Sequence, residues 1–347
     1  MGSFGLDNSR SKAVRNLLCA GVSALALTTA AAQAADLPMK SQYKAPPPAP
    51  TGVLTVWAEG GAFWTAKNPV PFFVPNELAA AFAATALPTT GLDPRVGGEG
   101  AVGLDYNFAG TPWHLSFDMR YGAANAAGVT NNALSGSSGS IASTESLGDR
   151  ESHGEADFMV GHEIGATNQL QLGLRVAYLS ANLTNNIGFS SVSSGAVVAS
   201  ALASVDERST FVGVGPRVAY EGYQPLASSW ALEYMAGAAA LVGERQLNVN
   251  DGVSCGVGTG TACLGSLGLA TGMYTSQFSE VAPIFNADAS LALAYSWGAS
   301  HLSMGFRFDG YWDALRTATN TTGTGTGGTS SVNRLYYGPF VRVSTQF

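Results

Sequence analysis

Beyond residue 100, hydrophobic and polar residues alternate with a period of two over most of the chain, the spacing of a half-exposed β-strand. Val102, Leu104, Tyr106 and Phe108 alternate with Ala101, Gly103, Asp105 and Asn107; Trp113, Leu115, Phe117, Met119 and Tyr121 alternate with His114, Ser116, Asp118, Arg120 and Gly122. The same rhythm runs through 170–176, 230–236, 291–297, 302–312 and 335–347, and weaker versions near 54–66, 152–164 and 208–221 bring the expected strands to ten. Connection lengths alternate as well. Short turns are expected near 109–112, 165–168, 222–228 and 298–300, and long loops near 67–95, 123–150, 183–207, 246–277 and 315–333.

Two architectures produce such alternation. A soluble sandwich buries its apolar face against a second sheet, whereas a membrane barrel turns it to lipid and keeps polar groups inside. Here the small and charged residues share one face, the aromatics gather near strand ends on the other, and short connections alternate with long ones. That combination predicts an all-β fold, an antiparallel up-and-down transmembrane β-barrel of about ten strands with short periplasmic turns and long extracellular loops. An even strand number puts both termini on one side, the periplasmic side if the short turns lie there, and lipid, which satisfies no open sheet edge, requires closure. Pro216 and Pro339 fall inside strands, where each removes a ladder donor, and bulges are expected there. The loops at 183–207 and 246–277 are long enough to hide strand extensions or another hairpin, so twelve strands stay open.

Composition sharpens this. Only 12% of the 347 residues are charged, glycine reaches 43, and the four lysines (Lys12, Lys40, Lys44, Lys67) all lie in the first fifth of the chain. With a net charge of −7 and no basic cluster, nucleic-acid binding by phosphate neutralisation is excluded. Arg10, Lys12 and Arg15, an apolar stretch from Leu17 to about Ala32, and the small-x-small pattern Ala32-Gln33-Ala34 read as a signal peptide over 1–34, cleaved between Ala34 and Ala35. A Pro-rich periplasmic linker is expected over 35–52 and the barrel over 53–347. Beyond the leader no stretch is long and apolar enough for a spanning helix.

The strand phases assign a lumen-facing set: Glu59, Glu99, Asp105, Asp118, Glu155, Asp157, Glu163, Glu221, Glu233, Asp288, Asp309 and Asp313, with Arg120, Arg175, Arg217, Arg245, Arg307 and Arg342. Acids outnumber bases two to one. One reading is an ion path that prefers cations, since charged rings bias permeation by sign. The other is a plugged interior in which arginines, always charged and able to fork onto carboxylates, cross-link the walls. A ten-stranded barrel is only slightly wider than one filled by its own side chains, which favours a narrow or gated pore over an open sieve.

Several segments carry a family likeness: Val56-Trp57-Ala58-Glu59-Gly60 with Phe63-Trp64, Ser116-Phe117-Asp118-Met119-Arg120-Tyr121-Gly122, Phe211-Val212-Gly213-Val214-Gly215-Pro216-Arg217, and the closing Tyr337-Gly338-Pro339 through Phe347. From about residue 53 to 347 the chain resembles the Legionella-type major outer membrane proteins. The start Ala35-Asp36-Leu37-Pro38, followed by prolines, is similar to proteobacterial porins and surface antigens. The resemblance implies a pore-forming barrel in the outer membrane of a Gram-negative bacterium, with terminal Phe347 as the signal read by the barrel-assembly machinery. Outer-membrane lipid and small ions or solutes are the implied partners. The alternative kept beside it is a non-conducting structural or surface-antigen barrel that presents its loops.

Other candidate chemistry is sparse. Asn76-Glu77 followed by an Ala-rich run to Ala84 predicts a short capped helix in the first loop, either a constriction or a rim element. Cys255 and Cys263 share one loop and, in an oxidising compartment, are expected to form a disulfide. They bring too few ligands for a metal, and no cofactor motif is present. His153, beside Ser152, Glu151 and Asp157, is the single histidine near the extracellular rim, too little for a hydrolase. The glycine-rich segments at 256–260 and 323–328 lack a following helix and read as loop tips, not phosphate sites.

Overall fold

The computed structural model describes residues 52–65, 96–136, 139–193, 196–255, 272–319 and 328–347. They form ten antiparallel strands: β1 (Val53–Thr65), β2 (Val96–Asn107), β3 (Trp113–Gly136), β4 (Gly139–Glu163), β5 (Asn168–Ser193), β6 (Ala196–Ala227), β7 (Trp230–Cys255), β8 (Gly272–Trp297), β9 (Ser300–Thr319) and β10 (Gly328–Gln346). Each pairs with its sequence neighbours, and β10 pairs with β1 to close the barrel. The closing register runs from Thr55↔Gln346 to Thr65↔Tyr336. Phe347 and Leu54 exchange two backbone hydrogen bonds, 2.8 and 3.2 Å, so the last residue is tied to the first strand. This end, which carries all four short turns, is called the turn end; the opposite is the loop end.

The outer surface is apolar because alternation sends one residue in two outward. Trp113, Phe117, Tyr121, Leu172, Val214, Leu291 and Phe306 are all exposed. Aromatic rings border the band on both sides, with Phe108, Trp113, Trp230 and Trp297 at the turn end and Trp64, Tyr121, Phe285 and Trp312 at the loop end. From Trp113 to Tyr121 the strand covers roughly 26 Å at ~3.3 Å per residue, comparable after tilting with the ~25 Å apolar band of outer-membrane barrels.

The structure departs from the sequence expectation in two places. Neither Pro216 nor Pro339 makes a bulge: Pro216 stays opposite Leu174 and Pro339 opposite Phe306 without a register change. A proline leaves one ladder bond unmade, and the flanking pairs hold the register without an inserted residue. The register shifts fall instead at Ser191/Val192, Pro225/Ala227 and Val332/Arg334. The second departure is that most of 123–150, 183–207 and 246–255 is extended strand, paired in register well beyond the apolar band. These are the strand extensions left open above, and they add no further strands. Residues 1–51, 66–95 and 256–271 are outside the described residues, and with them the signal peptide and its Ala34/Ala35 cleavage site, the linker, the 76–84 helix and Cys263; nothing is described of the side chain of Cys255.

Candidate functional site

The lumen is built by the inward residues of each strand, and it is filled. Its middle is an ionic layer. Arg175 on β5 is 1% exposed and donates from Nε and Nη2 to the two carboxylate oxygens of Asp157 on β4, 2.7 and 2.6 Å. Its Nη1 reaches Asn286 on β8 at 2.7 Å, Asp288 at 3.1 Å and Glu155 at 3.1 Å. Arg217 on β6 forks onto Asp288 and also lies 3.2 Å from Asp157. It can lie flat because β7 presents Gly237 beneath it; a Cβ there would come 2.8 Å from the guanidinium. On the opposite wall Glu59 of β1 takes both Nη groups of Arg307, 2.5 and 2.8 Å, and the Nε of Arg342 at 3.0 Å. Arg120 of β3 pairs with Glu155. Tyr311 of β9 donates across the barrel to Glu155 of β4 at 2.9 Å, and Asn286 donates to Asp309 at 2.7 Å.

Above this layer, toward the loop end, the interior turns apolar. Phe63, Leu179, Phe211, Leu241, Ile284 and Leu315 are buried there in one cluster with Tyr311 and Tyr336. Leu315 arrives from an unexpected direction. β8 and β9 stay paired only from Trp297↔Ser300 to Phe285↔Trp312. Just beyond, Asp313 adopts a φ of 60°, a left-handed conformation uncommon for a residue with a Cβ, and the end of β9 bends into the barrel with the start of β10 still paired to it. The Arg316 amide donates to Ser209 Oγ of β6 at 2.9 Å, and the Ala318 amide to Glu207 at 3.4 Å. Arg316 and Arg245 converge on Glu280 at 2.7 and 2.5 Å, and Arg334 meets Glu151 at 2.5 Å. Burial beneath this segment pushes the Glu207 carboxyl above its ordinary value of 4.5.

At the turn end the balance reverses. Asp105, Glu163, Glu221 and Glu233 form no ion pair with a described residue; Glu221 accepts from Gln169 at 2.9 Å. Between ionic and apolar layers a cavity of about 10 Å³ touches Phe63, Glu99, His153 and Asp309, room for one water.

The eighteen residues assigned to the lumen therefore divide. Glu59, Glu99, Arg120, Glu155, Asp157, Arg175, Arg217, Asp288, Arg307, Asp309 and Arg342 come together in the ionic layer, with Asp118 beside them, opposite Asp157 in register. Asp105, Glu163, Glu221 and Glu233 line the turn end, and Arg245 with Asp313 belongs to the bent segment. His153 does not sit with Glu151 and Asp157 as its sequence position suggested. It faces Glu99 at 3.5 Å, stacks on Tyr336 at 4.1 Å and meets Phe63 edge-on. Sequence reasoning missed Asn286 and Tyr311, which are neutral but share the inward phase of β8 and β9 with the charges it chose. It also missed Glu207, Glu280, Arg316 and Arg334, which lie where loops were expected or beside them, and it weighed Glu151 only as a neighbour of His153.

A family model for the Legionella pneumophila major outer membrane protein precursor matches residues 101–347. No curated protein matches the sequence. Among solved structures, the chain is similar to the outer membrane protease OmpT of Escherichia coli, with 6% identity and a TM-score of 0.38 over 86% of this chain and 97% of that one. It is also similar to the translocator domain of the autotransporter NalP of Neisseria meningitidis, with 10% identity and a TM-score of 0.25 over 98% of both chains. The Pseudomonas putida toluene transporter TodX gives 10% identity and a TM-score of 0.26 over 86% of this chain and 91% of that one.

Proposed function

We propose that this chain, which belongs to the family of the Legionella pneumophila major outer membrane protein and is a β-barrel of the Gram-negative outer membrane, is a narrow pore for small ions or hydrophilic solutes that rests shut. One observation carries the reading: the end of β9 bends into the lumen and donates backbone hydrogen bonds to β6, a strand it does not adjoin in the barrel wall. A segment held by its own tip can release without unzipping the wall. The turn end is placed in the periplasm, as short turns are in this class. Selectivity for cations is the second part of the proposal. The arginines of the ionic layer are in contact with carboxylates, whereas the turn-end acids form no ion pair with a described arginine, so an opened path carries a negative surplus.

The test is a single-channel recording of the mature chain in a planar bilayer across a salt gradient. Long silent periods broken by small, cation-selective steps are expected. Large steady currents or anion selectivity would refute the reading. A folded, inserted barrel silent at every voltage would favour the second reading, a structural barrel presenting its loop end, which draws on the Tyr311–Glu155 link across the lumen.

A further inference from the structure

On the outer face, the loop-end limit of the apolar band is marked by Tyr121, Tyr178, Val212 and Val281, which share one cross-strand row. Two outward positions higher, the row is Asn125, Arg150, Asn182, Arg208, Asn248 and Gln277, each paired in register with the next. Between them lies a row rich in Ser and Thr, including Ser152, Ser180, Thr210 and Ser279. Arg150 and Arg208 are exposed and form no ion pair with a described residue. They stand two strands apart, about 10 Å at ~4.8 Å per strand. Asn182 lies between them in register. The other described arginines are spent on carboxylates inside the barrel; this pair faces out.

Height fixes what such a pair meets. Four residues separate Tyr121 from Asn125, roughly 13 Å along a strand and ~10 Å along the membrane normal at a ~40° tilt. A guanidinium leaning back toward the bilayer reaches the headgroup level. We propose that this row is a binding site for the phosphorylated glycolipid of the outer leaflet, with Arg150 and Arg208 on two phosphate groups of one headgroup. Arginine suits phosphate by its planar fork, and the Ser/Thr row below offers hydroxyls to the sugar and linkage oxygens. Asp206, two residues from Arg208 on the same face, and Glu244, whose carboxylate is taken by Gln246 and Ser279, are the neighbouring acids. Neither lies beside Arg150. The inference rests on the loop end being extracellular.

The test uses the full barrel, purified from outer membranes in mild detergent. Native mass spectrometry compares retention of bis-phosphorylated lipid A with that of its dephosphorylated form. The wild-type chain is expected to hold the phosphorylated form at least several-fold better; equal retention would overturn the proposal, and so would displacement by millimolar inorganic phosphate, which would mark a free-anion site. The Arg150→Gln/Arg208→Gln chain is expected to retain about tenfold less, with Arg150→Lys/Arg208→Lys in between; unchanged retention would overturn it. The wild-type comparison decides the matter even where the double variant does not fold. Orientation is read separately, by whole-cell maleimide labelling of Thr275→Cys against the parent chain. Labelling supports the outer-leaflet assignment, and its absence overturns that assignment whatever the binding result.

Discussion

Replacing Arg175 by methionine tests whether the ionic layer is a dry cross-link or a wet channel wall. The guanidinium is 1% exposed and touches Asp157, Glu155, Asp288 and Asn286. Breaking a buried pair by removing one partner costs about 3–5 kcal/mol, mostly through the charge left behind. Three carboxylates lose a partner here, but Arg217 still reaches Asp157 and Asp288, and Arg120 still reaches Glu155. The lower end of that range, about 3 kcal/mol, is therefore expected, two decades in the unfolding constant. The assay is urea unfolding of the barrel in lipid vesicles, followed by tryptophan fluorescence and by the gel mobility of the folded form. Asp157→Asn added to Arg175→Met should return part of the loss, since it removes one stranded charge; the double-mutant cycle isolates that coupling. A loss below about 1 kcal/mol, the range of exposed pairs, would show that water reaches these carboxylates, and the resting barrel would then be open.

Leu315→Ala removes a fully buried side chain from the bent segment. It should cost about 2–3 kcal/mol and raise the frequency of channel openings without changing step size; unaltered gating would dissociate the segment from the gate. Glu207 gives a pH dependence whose sign is fixed by its raised pKa. Burial under the docked segment favours the protonated acid and outweighs the Ala318 amide bond, which favours the carboxylate, so the penalty on closure is absent below 4.5 and accrues as pH rises from there to the shifted value. Openings should be rarer near pH 4.5 than at pH 7, and Glu207→Gln should flatten the difference. Gly161→Ala places a Cβ 1.8 Å from the His114 ring, which contacts Gln171 at 3.2 Å. A cost of about 1–3 kcal/mol is expected, read by the same urea assay, and a neutral result would mean that His114 swings away freely.

The strand count and the closed antiparallel order were legible because lipid imposes a strong contrast, with Trp113 to Tyr121 apolar on one face and His114 to Gly122 polar on the other. That contrast ends where the membrane ends. In Asn125, Arg150, Asn182 and Arg208 the outer residues are polar, while inner partners such as Leu179, Phe211, Leu247 and Val249 are apolar and buried. The alternation is inverted in sign, and stretches such as 183–207 therefore read as loops. Within the band, β7 shows the same difficulty: Ala239 and Leu241 face inward and Ala240 and Val242 outward, so its composition marks neither face.

The least legible element is the one that decides the functional reading. Nothing in the run Asp313-Ala314-Leu315-Arg316 says that it leaves the wall, because in sequence a strand that bends inward and a loop that begins early look alike. The cause lies in the partners. Pro283 of β8 has no amide to donate, and β8 loses β9 just above Phe285, two residues away. On β9 the left-handed turn at Asp313 is held by Asn333, which accepts from its amide at 2.9 Å, and by Arg245, which binds its carbonyl at 2.5 Å and its carboxylate at 3.0 Å. Each contact is local in space and remote in sequence. Arg245 was legible as an inward charge on β7, yet its role is to grip the point where β9 turns, not to line a channel. A charge count over the lumen treats it as one of six bases. The geometry makes it a latch, and the pore reading depends on whether that latch releases before the ionic layer below it does.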